Sequence, residues 1–187
     1  MSKILILFCM ITGTLYSQTF QLGFRSESTW FNLTNHSTDF VPIYHFFVTG
    51  GLVEKNTPLL NDLTEEIRLG AIITPNYLQG YDFLLALKSH VITKYLYVSG
   101  GIDLHYNIGD AHGATIIYSK NLYLLNFGIG YSPDNIFFIE LSKYIPISNN
   151  DLFLDYSLYN PSFSLNSLIV ISFGINFDLG NKTKSVL

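Results

Sequence analysis

The sequence predicts an all-β chain: a transmembrane antiparallel up-and-down β-barrel of eight strands. Three observations predict it. Charged residues make up only 13% of the 187 residues, while hydrophobic residues reach 48% and aromatics 16%. A soluble domain carries about 25% charge. No apolar run approaches the ~20 residues that a membrane helix needs. The apolar residues come instead in short segments that alternate with polar or small ones, the period-two signature of strands. This composition excludes a disordered chain and a basic nucleic-acid binder.

The first segment reads as an address rather than as fold. Met1-Ser2-Lys3 is a basic start, Ile4–Ile11 an apolar stretch, and Thr12–Ser17 a small-residue ending. That is secretory signal architecture, with cleavage placed after Ser17. Cys9 is the single cysteine and lies within this segment, and Phe8 stands where a lipobox needs a small residue. The exported chain would therefore hold no disulfide, which excludes the small stapled secreted folds. Residues 18–180 form the expected barrel and 181–187 a polar C-terminal tail.

The strands follow in order. In Thr19–Thr29, Phe20, Leu22 and Phe24 oppose Gln21, Gly23, Arg25 and Glu27. Ile43–Val53 is ambiguous: Tyr44, Phe46 and Val48 are assigned outward, His45 and Thr49 inward, and Phe47 fits neither face. In Glu66–Ile73, Ile67, Leu69 and Ala71 oppose Arg68 and Gly70. In Tyr81–Val91, Phe83, Leu85 and Leu87 oppose Ala86, Lys88 and His90. In Tyr95–Tyr106, Leu96, Val98, Ile102 and Leu104 oppose Tyr97, Ser99, Gly101, Asp103 and His105. In Leu122–Tyr131, Leu125, Phe127, Ile129 and Tyr131 oppose Asn126, Gly128 and Gly130. In Ile136–Tyr144, Phe137, Ile139 and Leu141 oppose Glu140 and Ser142. The last repeat is the clearest, with Ile169, Ile171, Phe173, Ile175 and Phe177 against Ser172, Gly174, Asn176 and Asp178.

The polarity of the two faces sets the surroundings. One face is bulky, apolar and nearly free of charge at mid-strand, which suits lipid, where a Lys or Arg costs ~2–4 kcal/mol at the midplane. The other is rich in Gly, Ser and Asn, which suits a narrow, crowded interior. A sheet in hydrocarbon must also close, because every backbone N–H and C=O needs a partner. Loop lengths agree. The connections Trp30–Pro42, Thr74–Gly80, Asn107–Lys120 and Ser148–Leu165 fall on one side, mostly long, and Ile92–Thr93 and Ser132–Asn135 on the other, short. Glu54–Glu65 breaks that rule. Trp30, Tyr44, Tyr81, Tyr106 and Tyr144 at one set of strand ends, and Phe20, Tyr131, Phe137 and Phe177 at the other, read as a double aromatic girdle.

With these residues in view, the chain resembles the small eight-stranded outer-membrane β-barrel proteins of Gram-negative bacteria, of the OmpA/OmpX-like "porin family" type common in Bacteroidota. The resemblance covers residues 18 to about 180 and rests on pattern, not on an invariant motif. It implies the outer membrane as location, with outer-membrane lipid and the barrel insertion machinery as partners. One departure stands out: such barrels end on an aromatic residue, whereas Phe177 is followed by the tail Asn181–Leu187.

The lumen of such a barrel is just wide enough for side chains to fill. Arg25, Arg68 and Lys88 against Glu27, Asp103, Glu140 and Asp178 are the expected polar lumen network. His45, His90 and His105 share the inward face without a metal-ligand spacing, so no metal and no cofactor is expected. Ser89-His90 puts adjacent residues on opposite faces, the wrong geometry for nucleophile and base. The expected function is non-enzymatic, structural or surface-interacting. Leu152, Phe153, Leu154 and Tyr156 in the longest loop read either as contacts for an unknown partner or as an extension of a hairpin. Two other classes compete: a soluble lipocalin-like carrier with an apolar cavity, and a lipid-modifying barrel enzyme.

Overall fold

The computed structural model describes residues 19–34, 39–55, 62–73, 78–91, 93–134, 136–148, 150–155 and 162–178. The signal segment, the C-terminal tail and Tyr156 lie outside them. The described residues form eleven strands: β1 (Thr19–Leu33), β2 (Asp39–Lys55), β3 (Asp62–Ile73), β4 (Gly80–His90), β5 (Leu96–Asn107), β6 (Asp110–His112), β7 (Thr115–Ile117), β8 (Lys120–Tyr131), β9 (Phe137–Ser148), β10 (Asp151–Asp155) and β11 (Ser162–Asp178).

Antiparallel ladders join β1 to β2, β2 to β3, β3 to β4, β4 to β5, β5 to β8, β8 to β9 and β9 to β11. The sheet then closes, because β11 pairs back along β1 from Gln21↔Asp178 to Leu33↔Leu165. The result is an antiparallel barrel without a free edge in the ring. The end where β1 begins and β11 finishes is called here the terminal end.

At the opposite end, β11 continues past the ring into a small annex. Its first residues pair with β10, β10 with β7, and β7 with β6. The sequence alternation gives no sign of β6, β7 and β10, because each is too short to alternate. The expected loops Asn107–Lys120 and Ser148–Leu165 are in large part this annex. The Trp30–Pro42 loop is also shorter than expected, since β1 runs on to Leu33 and β2 starts at Asp39. Gly113, with φ +60°, makes the tight turn that lets His112 pair with Thr115.

Side chains obey the alternation. Phe24, Leu85, Ile102, Phe127, Ile139 and Phe173 are about half exposed on the outer wall. Arg25, Arg68, Asp103, Asn126, Glu140 and Ser172 are buried within the ring. A second, apolar core fills the annex end, where Leu122, Leu152, Phe163 and Leu165 are sealed from solvent. Phe153 stacks on Phe163 there, with ring centroids 4.5 Å apart. Tyr144 departs from the girdle expectation. It is 3% exposed and points inward, because it shares parity with Glu140 and Ser142 on β9. The side chains of Phe20, of Asp178 and of β2, including His45 and Phe47, lie outside the described ones.

Candidate functional site

The chemistry of this chain is concentrated in the lumen. Charged side chains reach it from β1, β3, β4, β5 and β9, each at an inward position of its strand. Arg25 is the hub. Its Nε lies 2.8 Å from Glu27 Oε1, its Nη2 donates to Glu140 Oε1, and its Nη1 is 4.0 Å from Glu66 Oε1. Arg68 forks onto Glu66, with Nε 2.8 Å from Oε1 and Nη2 3.2 Å from Oε2, and reaches Glu140 at 3.6 Å. Two hydroxyls complete the shell: Ser142 donates to Glu140 at 2.7 Å and Ser172 to Glu27 at 2.9 Å.

Lys88 belongs to this cluster by a different contact. The sequence anticipates an ion pair, but its ammonium lies 3.8 Å from the Tyr97 ring centroid and 5.5 Å from that of Phe138. Arg25 also stands 5.1 Å from the Phe138 ring. Ring faces carry partial negative charge, so they stabilise desolvated cations. The cluster thus sets Arg25, Arg68 and Lys88 against Glu27, Glu66 and Glu140, in balance. Balance matters here because an unpaired buried charge is far costlier than a paired one.

Glycines make the room. A Cβ on Gly130 would strike the Tyr97 ring, and one on Gly174 the Phe138 ring. A Cβ on Gly128 would lie 2.5 Å from Ser99 Oγ and 2.8 Å from Ser142 Oγ. The inward glycines therefore serve as sockets for the aromatic rings and hydroxyls beside them.

Asp103 does not join the ion pairs expected of it. It is 2% exposed, and its Oδ1 has no hydrogen-bond partner among the described residues. Its neighbours are a second polar group nearer the annex. There His105 Nδ1 lies 2.8 Å from Asp82 Oδ1, and His105 Nε2 is 3.4 Å from Asn107 Oδ1. Asn107 in turn donates to the Tyr118 carbonyl at 2.9 Å and accepts from the Gln79 N–H at 3.0 Å. It ties the annex connections to the ring. His90 packs edge-on to Tyr97 at 6.1 Å. Among the described residues no group of three His, Cys, Asp or Glu could hold a metal ion.

Glu66, Asp82 and Phe138 are lumen residues that the sequence reading passes over. Parity was the signal available: Glu66 stands two residues before Arg68, and Phe138 two before Glu140. Leu152 and Phe153, expected either as partner contacts or as part of a hairpin extension, are 0% and 3% exposed, so their side chains form the annex core and not a surface. Leu154 is partly exposed beside them.

No protein-family model matches the chain, and no curated protein does. Among solved structures it is similar to the N-terminal β-barrel domain of Pseudomonas aeruginosa OprF. The identity is 16% over 86% of this chain and 100% of that one, with a TM-score of 0.45. It is similar to the outer membrane protein AlkL, solved in DMPC lipid bilayers, at 10% identity over 88% and 92%, TM-score 0.44. It is also similar to Ail, the attachment invasion locus protein of Yersinia pestis, at 12% identity over 86% and 97%, TM-score 0.27.

Proposed function

We propose that this chain is an integral outer-membrane β-barrel with a structural or surface-presenting role, non-enzymatic, its lumen plugged by its own side chains. One observation carries the reading: the large residues that face outward from the ring are predominantly apolar and about half exposed on the walls whose side chains are described. Phe24, Leu69, Leu85, Ile102, Ile129 and Phe173 represent six different strands. A soluble carrier would turn such residues inward. Here the interior holds the ion pairs instead. Burying an apolar belt in lipid satisfies it, and ring closure satisfies the backbone. The aromatic ends support a bilayer-sized band: Tyr81, Tyr106 and Tyr123 are exposed towards the annex, and Tyr131, Phe137 and Phe177 towards the terminal end.

The packing of the described lumen side chains supports the plug. The lumen cations and carboxylates hold one another, and Tyr97 and Phe138 fill the space above their glycine sockets. His105, the best candidate base, is 0% exposed and engaged by Asp82. A barrel of this kind supports membrane integrity and presents its annex outside. With Leu152 and Phe153 buried, any partner there would meet the β6–β7 hairpin and the residues leading into it, where Ile116 and Ile108 are each 39% exposed. Delivery to the membrane would fall to the barrel insertion machinery and would have to read β11 ahead of a tail.

The reading is tested by carbonate extraction of fractionated membranes, followed by liposome swelling. The integral barrel stays in the pellet and passes no sugars. Release into the supernatant would return the soluble-carrier reading.

A further inference from the structure

At the annex end of the lumen one histidine is bracketed by two acceptors. His105 and Asn107 share the inward face of β5, and Asp82 stands opposite His105 on β4. All three side chains are buried. The Asn107 amide is oriented by backbone on both sides: its Nδ2 donates to the Tyr118 carbonyl, and its Oδ1 accepts from the Gln79 N–H. Turning it over would set N–H against N–H and oxygen against oxygen. The oxygen is therefore the atom that His105 Nε2 meets at 3.4 Å, while Nδ1 meets Asp82 Oδ1 at 2.8 Å.

A neutral imidazole carries one N–H and one bare nitrogen. Between two acceptors it satisfies one and turns a lone pair on the other. Both contacts are satisfied when the His105–Asp82 pair holds one more proton. The pair is then imidazolium beside carboxylate, or a neutral ring that accepts at Nδ1 from the Asp82 acid. Either way Nε2 donates to Asn107, and the pair carries no net charge. Loss of that proton leaves a buried negative pair, which is costly. The remaining N–H then goes to the charged acceptor, Asp82, as the stronger partner, and a bare Nε2 faces Asn107 Oδ1. The other titratable groups at this end, among the described residues, are Asp103, the next inward residue of β5, and Lys120 on β8, within reach of Asp151 on β10. Across the lumen, Glu27, Arg68 and Tyr144 lie within electrostatic reach of Asp103.

The bracket is wired to the annex. Tyr118, whose carbonyl Asn107 holds, donates its own N–H to the Leu152 carbonyl on β10 at 2.9 Å. Gln79 accepts the Ile108 N–H on its carbonyl at 2.7 Å. Asn107 thus seats the β3–β4, β5–β6 and β7–β8 connections together. We propose that Asp82, His105 and Asn107 form a proton-held latch that keeps the annex seated on the ring. The proton is held on the acid side of the titration and lost on the alkaline side, so seating weakens as pH rises. The latch acts inside the ring, whatever solvent surrounds the outer wall.

The test is amide hydrogen exchange of the folded protein in detergent micelles, read by NMR between about pH 5 and 9. Rates are expressed as protection factors, which removes the intrinsic rise of exchange with pH. Gln79 and Tyr118 report on the latch, and Leu125 in mid-ring reports on the barrel. In the parent, protection at Gln79 and Tyr118 falls about tenfold as pH rises through the His105 titration, and Leu125 holds constant. The ring ¹⁵N shifts find Nε2 protonated on the acid side and bare on the alkaline side. Asp82→Asn offers an amide N–H to Nδ1, so the neutral ring keeps its Nε2–H on Asn107 and protection stays high at every pH. His105→Gln removes the titrating group and flattens the response, whereas His90→Gln, at the terminal end of β4, responds as the parent. A flat parent overturns the latch, as does a parent-like fall in Asp82→Asn or His105→Gln, or a flat response in His90→Gln. So does a parallel loss at Leu125, which reports opening of the whole barrel. If His105→Gln does not fold, Asp82→Asn and the parent's ¹⁵N shifts decide.

Discussion

Glu140 is the residue whose loss tests the lumen most directly. It accepts from Arg25, lies 3.6 Å from Arg68, and receives the Ser142 hydroxyl at 2.7 Å. Glu140→Gln keeps its shape and removes its charge. Three buried cations then face two carboxylates, and the surplus has no solvent, since Arg25 and Arg68 are 2% and 0% exposed. Breaking a buried pair by removing one partner costs about 3–5 kcal/mol. If the cost is electrostatic, removing a cation should return part of it. Lys88→Met is the choice, because it deletes a charge from the cluster while leaving both arginine forks intact. At an effective dielectric near 20, one charge at ~6 Å is worth ~3 kcal/mol, so the double variant should recover at least half of the loss. The assay is urea unfolding in lipid vesicles, followed by fluorescence of Trp30, the single tryptophan, and by heat-modifiable migration. A Glu140→Gln penalty below ~1 kcal/mol, or a double variant as unstable as the sum of the singles, would refute the reasoning.

Three further outcomes follow from the same geometry. Phe127→Arg and Phe173→Arg, at positions 55% and 56% exposed on the outer wall, should each destabilise the barrel in vesicles by ~2–4 kcal/mol; unchanged unfolding would reverse the outward assignment. Gly130→Val should displace Tyr97 from its socket at a cost of roughly 1–3 kcal/mol, visible as an altered tyrosine ring environment by NMR. The Asp134 carboxylate, in the β8–β9 turn, accepts N–H bonds from Phe137 at 2.9 Å and Ile136 at 3.0 Å, and these hold its pKa below the usual carboxylate value. Its contribution is therefore present above the unfolded pKa and lost as pH falls through the folded one. Carboxyl NMR titration should find it lowered in the parent and restored to the ordinary value in denaturant.

How much of this was legible depended on what each segment had to satisfy. β11, with Ile169 to Phe177 alternating against Ser172 and Gly174, reads cleanly because both faces meet a uniform environment along its whole ring portion. Glu66 and Asp82 are hard to assign from sequence because each stands at the start of an apparent strand, where parity has few residues to establish it. Parity puts Lys88 on the lumen side, but it gives only a direction, and packing alone decides between a carboxylate and the Tyr97 ring. The annex was hidden for another reason. Leu152 and Phe153 are apolar in a polar loop, which is equally consistent with a surface and with a core. The core appears only when β10 lies between β7 and β11, a contact made across more than thirty residues of chain.

The closing ladder sets a check on assembly. β1 and β11 meet at a sequence separation of about 150 residues, from Gln21↔Asp178 onward, so their seam has high contact order and should be the slow one to form. Alternation has a period of two, and a one-residue slip of β1 at that seam would turn Arg25 and Glu27 out onto the apolar outer wall and draw Phe24 into the ion pairs. Every wrong odd register is thus penalised by two stranded charges, whereas the native one is rewarded at once by Glu140 and Ser172 waiting on β9 and β11. The polar lumen in this way acts as a proofreader: it lets the ring lock only when first and last strands have met in phase.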